Sequence, residues 1–174
     1  MKITGLETYF LSAPLPQAVR TSTHCITQVS EVIVKLTTDA GLVGIGEAHG
    51  PFLFQGAEGL GAVNDILRAV TPLVVGQDPF EGERIWQELF GLTYTTVRGI
   101  PPLARQQRQL VTALSAIDIA LWDLRGKAIG RPVHALLGGA LRQTVPAYVT
   151  GFYYRDGERP DDLVREAAMY VEQG

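Results

Sequence analysis

The sequence predicts an α+β protein in which three antiparallel strands precede a block of helices and one further strand-helix unit. Three observations carry this prediction. Apolar residues alternate along residues 32–37, they recur every three or four positions along residues 110–128, and an extended-type run at residues 145–150 precedes a last amphipathic segment.

The sheet is predicted from a hairpin. Val32, Val34 and Leu36 alternate with the residues between them, as in a strand with one buried face. The turn-forming residues 38–41 follow, and residues 42–48 resume an extended pattern, so we expect two antiparallel strands. Residues 3–11 are expected to form a third strand. Residues 14–27 and 49–56 are then left as two long loops that flank the sheet.

Helices are predicted from apolar spacing and from end signals. Residues 60–74 have a helical spacing, although Pro72 should kink or end that helix. Asp78, followed by Pro-Phe-Glu, resembles an N-cap with a capping box. The longest helix is predicted over residues 103–129, with Gly130 ending it. The apolar side of this helix consists of Leu110, Leu114, Ile117, Leu121, Leu124 and Ala128.

One strand-helix unit follows the helical block. Residues 145–150 favour extended backbone, and a helix should begin at Asp161 or Asp162. A single strand cannot form a parallel sheet, because its strands need neighbours. We therefore expect the beginning of a larger parallel architecture; a (β/α) barrel typically needs about 200 residues or more. The inner face of the last helix is predicted to contain Leu163, Ala167, Tyr170 and Val171.

Composition argues against several classes of function. The 174 residues include 15 basic and 18 acidic side chains, a formal charge of -3. These charges are dispersed, so neither nucleic acid nor an acidic membrane is expected as a partner. The N-terminal segment has the pattern of neither a signal peptide nor a spanning helix, and we expect a cytoplasmic protein. Cys25 is the only cysteine, which rules out an internal disulfide and a multi-cysteine zinc site.

The histidines fit no metal-binding motif. His134 is expected to be structural. His24 and His49 lie in the two predicted loops, where each could contact substrate or simply be solvated. Glu47 is assigned a structural role, because the sequence shows no partner carboxylate for it.

Two further patterns resemble functional motifs, a pair of carboxylates for a metal ion and a glycine-rich loop for a phosphate, but neither has the required spacing or context. Asp118 and Asp123 would lie about 140° apart around a helix, too far to share a metal ion. Asp123 is expected to pair with Lys127, and Asp118 to be a buried, hydrogen-bonded acceptor. Gly44 and Gly46 lack the third glycine and the strand-to-helix context of a phosphate-binding loop.

One long segment resembles a known family. Residues 113–139, ALSAIDIALWDLRGKAIGRPVHALLGG, closely resemble the signature of the mandelate racemase and muconate-lactonising branch of the enolase superfamily. Shorter matches are TDAGLVGIGE at residues 38–47, GQDP at residues 76–79 and VPAY at residues 145–148. The resemblance covers essentially the whole chain.

The resemblance implies a fold and a reaction. Residues 1–139 would form the N-terminal capping domain, and residues 140–174 the first strand and helix of a TIM-type barrel, which is incomplete in this chain. The implied enzyme uses Mg²⁺ to abstract the proton α to a carboxylate through an enediolate, as an acid-sugar dehydratase or a racemase. The family's base and metal ligands lie on later barrel strands. No catalytic residue and no metal ligand is therefore assigned in this chain, which is expected to be inactive alone; the alternative is a non-catalytic fragment or interaction module.

The resemblance also implies that two loops close over the substrate, at about residues 16–27 and 49–55. Polar loops with Arg and His suit a hydroxylated acid, which favours sugar-acid dehydration over racemisation of an apolar acid. Phe52 either lines the substrate side or anchors its loop. The expected partners are a small carboxylic or sugar acid and further copies of the chain in a homo-oligomer. The substrate-binding candidates are Arg20, Thr21, His24, His49 and Phe52.

Overall fold

The computed structural model describes residues 1–21, 24–49 and 56–173. Within these residues, three strands form a sheet in the order β1-β2-β3, and helices follow, which confirms the predicted fold class. The strands are β1 (Ile3–Arg20), β2 (Cys25–Thr38) and β3 (Val43–Ala48). The helices are α1 (Gly56–Val74), α2 (Gly82–Phe90), α3 (Gln107–Ile129), α4 (Val133–Leu136) and α5 (Pro160–Gln173).

β2 and β3 form the predicted hairpin. Their antiparallel register pairs Thr37 with Val43 and Val32 with Ala48. The turn between them contains Gly41, whose φ of 75° lies in the left-handed region that glycine adopts without a steric penalty. Residues 32, 34, 36 and 38 of β2 are buried, so one face of the hairpin belongs to the core and the other faces outwards.

β1 and β2 are longer than the sequence predicts. The loop expected over residues 14–27 is wrong, because β1 continues to Arg20 and β2 begins at Cys25. Pro14 and Pro16 lie within β1, an edge strand of the sheet. A proline lacks the N–H that a central strand would need, but an edge strand tolerates this loss. The connection between the two strands is therefore confined to residues 21–24.

α3 is the central helix of the core. Its predicted apolar residues are at most 1% exposed up to Leu124, which confirms the helical phase. Ala128 is exposed, so the buried side ends one turn earlier than expected. Gly130 has a φ of 64° and caps the helix as predicted. The buried apolar positions are Leu110, Leu114, Ile117, Leu121 and Leu124.

β3 packs on α3 with its backbone close to the helix backbone. A Cβ atom on Gly44 would lie 2.3 Å from the carbonyl oxygen of Ala120, and one on Gly46 would lie 1.9 Å from that of Ala116. Both distances are too short for any side chain. The two glycines therefore permit close helix-strand packing, in agreement with their exclusion as a phosphate-binding motif.

Two side chains of α3 hydrogen-bond the outer edge of β3. The Ile45 N–H donates to Oδ2 of Asp123 at 2.8 Å, and Nζ of Lys127 donates to the Val43 carbonyl at 2.9 Å. Lys127 also pairs with Asp123 at 2.5 Å, as the sequence predicts. Backbone groups that an edge strand would otherwise leave open are thus satisfied by the helix.

The segment joining α1 to α2 follows the predicted signals only in part. α1 continues through Pro72 to Val74, so the helix does not end at Pro72 as one alternative expected; the proline removes a single backbone donor in the last turn. Oδ1 of Asp78 accepts from the Phe80 N–H at 3.0 Å, which confirms the N-cap. Glu81 does not close a capping box, because its carboxylate binds Arg84 instead.

The chain divides into two compact units, residues 1–12 with 30–140 and residues 13–29 with 141–174. In the second unit, residues 145–150 form no strand, so that prediction is wrong. Strands require hydrogen-bonded neighbours, and in the described part of this unit residues 145–150 have none. The nearby backbone pairing is a single antiparallel bridge between Arg20 and Tyr154.

α5 forms as predicted, but its partly buried face contains fewer residues than expected. Leu163, Ala167 and Tyr170 are partly buried, whereas Val171 is 81% exposed and does not belong to the inner face. The division into a capping domain at residues 1–139 and a barrel start at residues 140–174 stays a prediction. Among the described helices, none combines the length and the apolar character needed to cross a bilayer.

Truncating Leu121 should destabilise the protein strongly. Leu121 is 1% exposed, and Leu121→Ala should cost about 2–5 kcal/mol through lost transfer energy and a cavity. Ile119 lies on the same helix but is 50% exposed, so Ile119→Ala is a matched control expected to change stability by within about 0.5 kcal/mol. Urea unfolding of both variants measures the difference. Equal losses would contradict the buried phase of α3.

Candidate functional site

A cluster of two carboxylates and an imidazole lies at the end of the β2-β3 hairpin. The register pairs Val32 with Ala48, and one step further it places Glu31 opposite His49. Glu47 lies two residues before His49 on β3, so the three side chains share the outer face of the hairpin. This face is opposite to the one that enters the core.

The three side chains are within contact distance. Nδ1 of His49 lies 2.5 Å from Oε1 of Glu31 and 3.9 Å from Oε1 of Glu47. One ligand atom from each of the three residues lies within 4.8 Å of the others. The side chains of Glu47 and His49 are 53% and 45% exposed, and that of Glu31 is 21% exposed. The cluster is thus open to solvent on one side and closed on the other.

Glu31 is the most buried member of the cluster. Its Oε2 atom is inaccessible to solvent and has no hydrogen-bond partner among the described residues. Such an atom is costly to bury, because a carboxylate oxygen that leaves water normally gains a donor or a cation. Chemically, the arrangement can orient the His49 ring through Glu31, or it can hold a cation between the carboxylates and the imidazole.

Three other predicted residues, Arg20, Thr21 and His24, lie where β1 ends and β2 begins, in the second compact unit. The Thr21 N–H donates to the His24 carbonyl at 2.9 Å, and the His24 N–H donates to Oγ1 of Thr21 at 3.0 Å. Nε of Arg20 donates to Oδ1 of Asp156 at 3.1 Å, and this hydrogen bond raises the pKa of Arg20. Its guanidinium therefore already carries one partner.

The structure thus separates the predicted site residues into two groups that it describes. Arg20, Thr21 and His24 lie at the adjoining ends of β1 and β2, and His49 contacts Glu31 and Glu47. Phe52 lies outside the described residues. Sequence reasoning missed Glu31 and gave Glu47 no partner, because the predicted turn at residues 38–41 does not fix the observed register, in which Val32 pairs with Ala48.

Asp118 belongs to a third polar group, on the outer side of α3. It is half-buried, not buried as predicted, and burial raises the pKa of its carboxyl above the usual 3.8, with an opposing attraction to Arg125. Arg125 is 8% exposed. Its Nε donates to the Pro79 carbonyl at 2.7 Å, and its guanidinium lies 4.5 Å from the centre of the Trp122 ring, a cation-π contact.

Residues 6–138 match the family described as mandelate racemase / muconate lactonizing enzyme, N-terminal domain. The chain belongs to this family. The sheet of three antiparallel strands with its helices is accordingly the capping-domain fold of the enolase superfamily, as the resemblance implies.

Named relatives span more than one reaction. The chain is 36% identical to a D-galactarolactone cycloisomerase of Agrobacterium fabrum over 100% of its own length and 42% of the relative. It is 36% identical to a D-mannonate dehydratase of Caulobacter vibrioides over 82% of its length and 31% of that relative. An enolase-superfamily crystal structure from Polaromonas sp. JS666 superposes with a TM-score of 0.80 at 30% identity, over 100% of this chain and 42% of the other. The chain therefore spans less than half of the length of each of these three proteins.

The described residues do not fit the Mg²⁺ that the superfamily implies. Mg²⁺ prefers an octahedron of oxygen ligands. The grouping of possible metal ligands found among the described residues, Glu31, Glu47 and His49, includes an imidazole nitrogen. The resemblance places the family's magnesium ligands on later barrel strands and not among these three residues.

Replacing Asp118 with Asn should alter how stability depends on pH. Because burial raises the folded-state pKa of Asp118, the folded protein binds this proton more tightly than the unfolded chain, so ionisation costs stability as pH rises through the acid range. The stability of Asp118→Asn relative to the unaltered protein should therefore increase as pH rises. The increase should begin near pH 3.8, the usual pKa of an aspartate, and end near the raised pKa of folded Asp118.

Urea unfolding at several acid pH values measures this trend. Asp161→Asn, at an exposed position of α5, is the control and should show no such rise. A relative stability of Asp118→Asn that falls as pH increases would mean that the attraction to Arg125 outweighs the burial.

Proposed function

We propose that this chain is the substrate-capping part of an Mg²⁺-dependent enzyme that removes the proton α to a carboxylate and forms an enediolate. The observation that carries the proposal is the family match over residues 6–138. The named relatives support a sugar-acid substrate, since they include a D-galactarolactone cycloisomerase and a D-mannonate dehydratase. Acid-sugar dehydration is our first assignment, and racemisation or epimerisation within the same family is the second.

In this proposal, residues where β1 ends and β2 begins, together with the end of β3, contact the substrate. Arg20 would bind a carboxylate, and Thr21, His24 and His49 would hydrogen-bond hydroxyl groups. The Arg20-Asp156 pair does not prevent this role. Its side chains are 47% and 72% exposed, and exposed ion pairs contribute only about 0–1 kcal/mol, so a substrate carboxylate can compete for the guanidinium.

In the proposal, Phe52 either makes an apolar contact on the substrate side or anchors its loop. Closure of such loops excludes water and strengthens charge interactions at the reacting centre. Mg²⁺, when bound by the barrel, would stabilise the negative charge that develops on the enediolate.

The proposal leaves the chemical step outside residues 1–174. Because the resemblance places the base and the metal ligands on later strands, we expect these 174 residues alone to turn over no α-hydroxy acid. A non-catalytic fragment or interaction module with no activity of its own is the competing proposal. The homo-oligomer and the cytoplasmic location also stay predictions.

Activity of the full-length enzyme that carries this segment tests the proposal. Incubated with Mg²⁺ in D₂O and a panel of sugar acids, it should incorporate deuterium at the α-carbon or release a 2-keto-3-deoxy acid. A product with an inverted stereocentre and no loss of water would support racemisation instead. If no acid of the panel gave either deuterium exchange or a product, this result would contradict the proposed reaction class.

Replacing His24 should weaken substrate binding and leave the affinity for Mg²⁺ unchanged. In the full-length enzyme, His24→Ala should raise KM or alter the choice among sugar acids, because a contact to substrate is lost. His49→Ala should act in the same direction. His134→Ala, at an exposed position of α4, is the matched control and should leave both constants unchanged. Steady-state kinetics and a Mg²⁺ titration measure these effects, and a large fall in Mg²⁺ affinity for His24→Ala would contradict the assignment.

A further inference from the structure

We propose that Glu31, Glu47 and His49 form a binding site for one divalent transition-metal ion of the Zn²⁺ type. The site lies on the outer face of the β2-β3 hairpin, within the first compact unit. The inference does not depend on the proposed function.

The donor types favour such an ion. Imidazole nitrogen and carboxylate oxygen are both ordinary ligands of Zn²⁺, which binds them at about 2.0–2.2 Å. Mg²⁺ is disfavoured by the nitrogen donor, because it takes oxygen ligands in a near-ideal octahedron. The combination of two carboxylates and one imidazole therefore selects for an ion that accepts mixed nitrogen and oxygen donors.

The geometry requires only small movements. Metal-ligand bonds of about 2.0–2.2 Å place neighbouring ligand atoms about 3–3.6 Å apart. The observed distances from Nδ1 of His49 are 2.5 Å to Glu31 and 3.9 Å to Glu47, and all three ligand atoms lie within 4.8 Å. An ion would replace the Glu31-His49 hydrogen bond, and side-chain rotation alone can widen one distance and shorten the others.

The backbone already holds the ligands in place. Glu31 and His49 are the next residues beyond Val32 and Ala48, a pair of the hairpin ladder. The core side of this ladder is fixed, since Val32 and Ala48 are at most 1% exposed. Binding would therefore order few backbone dihedrals, which lowers its entropic cost.

The local charge also favours a cation. The cluster carries two carboxylates and, at most, one positive imidazole. In the part of the chain that the structure describes, no lysine or arginine forms an ion pair with Glu31 or Glu47. Lys35, on the same face of β2, pairs with Glu7 at 3.2 Å instead. The buried Oε2 of Glu31, which has no hydrogen-bond partner among the described residues, is a further acceptor beside the site.

Zinc titration of the 174-residue chain tests the site. After removal of metal with a chelator, the protein is titrated with Zn²⁺ in competition with a chromophoric chelator. We expect one equivalent to bind saturably. Glu31→Gln and His49→Gln should each weaken binding by about tenfold or more, because even losing an outer-shell partner of a metal ligand typically costs about 10- to 100-fold. Affinity should fall at acid pH, since the ligands must lose their protons.

Matched variants separate this site from adventitious binding. His134→Gln, which removes an exposed histidine of α4, and Glu172→Gln, which removes an exposed carboxylate of α5, should bind Zn²⁺ as the unaltered protein does. Circular dichroism and thermal unfolding check that each variant is folded. With Co²⁺ as the probe, a ligand-field absorption band should appear and should be lost in His49→Gln.

Two results would overturn the proposal. One is Zn²⁺ binding that is non-saturable, or that is equally strong in folded Glu31→Gln and His49→Gln. The other is competition by Mg²⁺ at concentrations comparable to Zn²⁺, which would indicate a generic acidic surface. Neither result would affect the proposed reaction, because the titration involves no substrate and no turnover.

Discussion

Close contact between β3 and α3 is the constraint on which the rest of the structure depends. The backbone of β3 lies against that of the helix at Gly44 and Gly46, where a Cβ atom would come within 2.3 and 1.9 Å of helix carbonyl oxygens. This contact fixes the inner face of the hairpin. Because side chains alternate along a strand, it also determines that Glu47 and His49 face outwards.

The segment that carries the family resemblance contributes to this packing. Asp123 and Lys127 hydrogen-bond the free edge of β3. Gly126 allows the chain to return over the helix, since a Cβ atom there would lie 2.8 Å from the Arg131 carbonyl oxygen. Family membership is therefore shown by residues that maintain a fold, and substrate preference has to be sought at other positions.

The sequence predicted the elements whose signals are local. The phase of α3, the cap at Asp78 and the β2-β3 turn each depend on a few adjacent residues, and the structure confirms them. The extent of β1 was missed because Pro14 reads as a strand breaker unless the strand is known to be an edge, and edge position is a property of the whole sheet. The strand predicted over residues 145–150 is wrong for a similar reason. Residues that favour extended backbone form a strand only when a neighbouring strand pairs with them.

The candidate cluster shows where local signals end. His49 was singled out from the sequence, but Glu31 lies 18 residues earlier and reaches it only through strand pairing. Each residue alone reads as an ordinary polar side chain. Their combination becomes visible only in the observed register, which pairs Val32 with Ala48, because a shift of one residue would turn a strand's side chains to the other face.

The alternation along β3 also bears on how such a domain can diversify. Positions 44 and 46 accept no side chain at all, whereas Ile45 and Glu47, between and beside them, are 42% and 53% exposed. The strand therefore combines invariable packing positions with surface positions that can change without disturbing the helix beneath. New binding chemistry can arise on this face by single substitutions, while the scaffold that presents it keeps its shape.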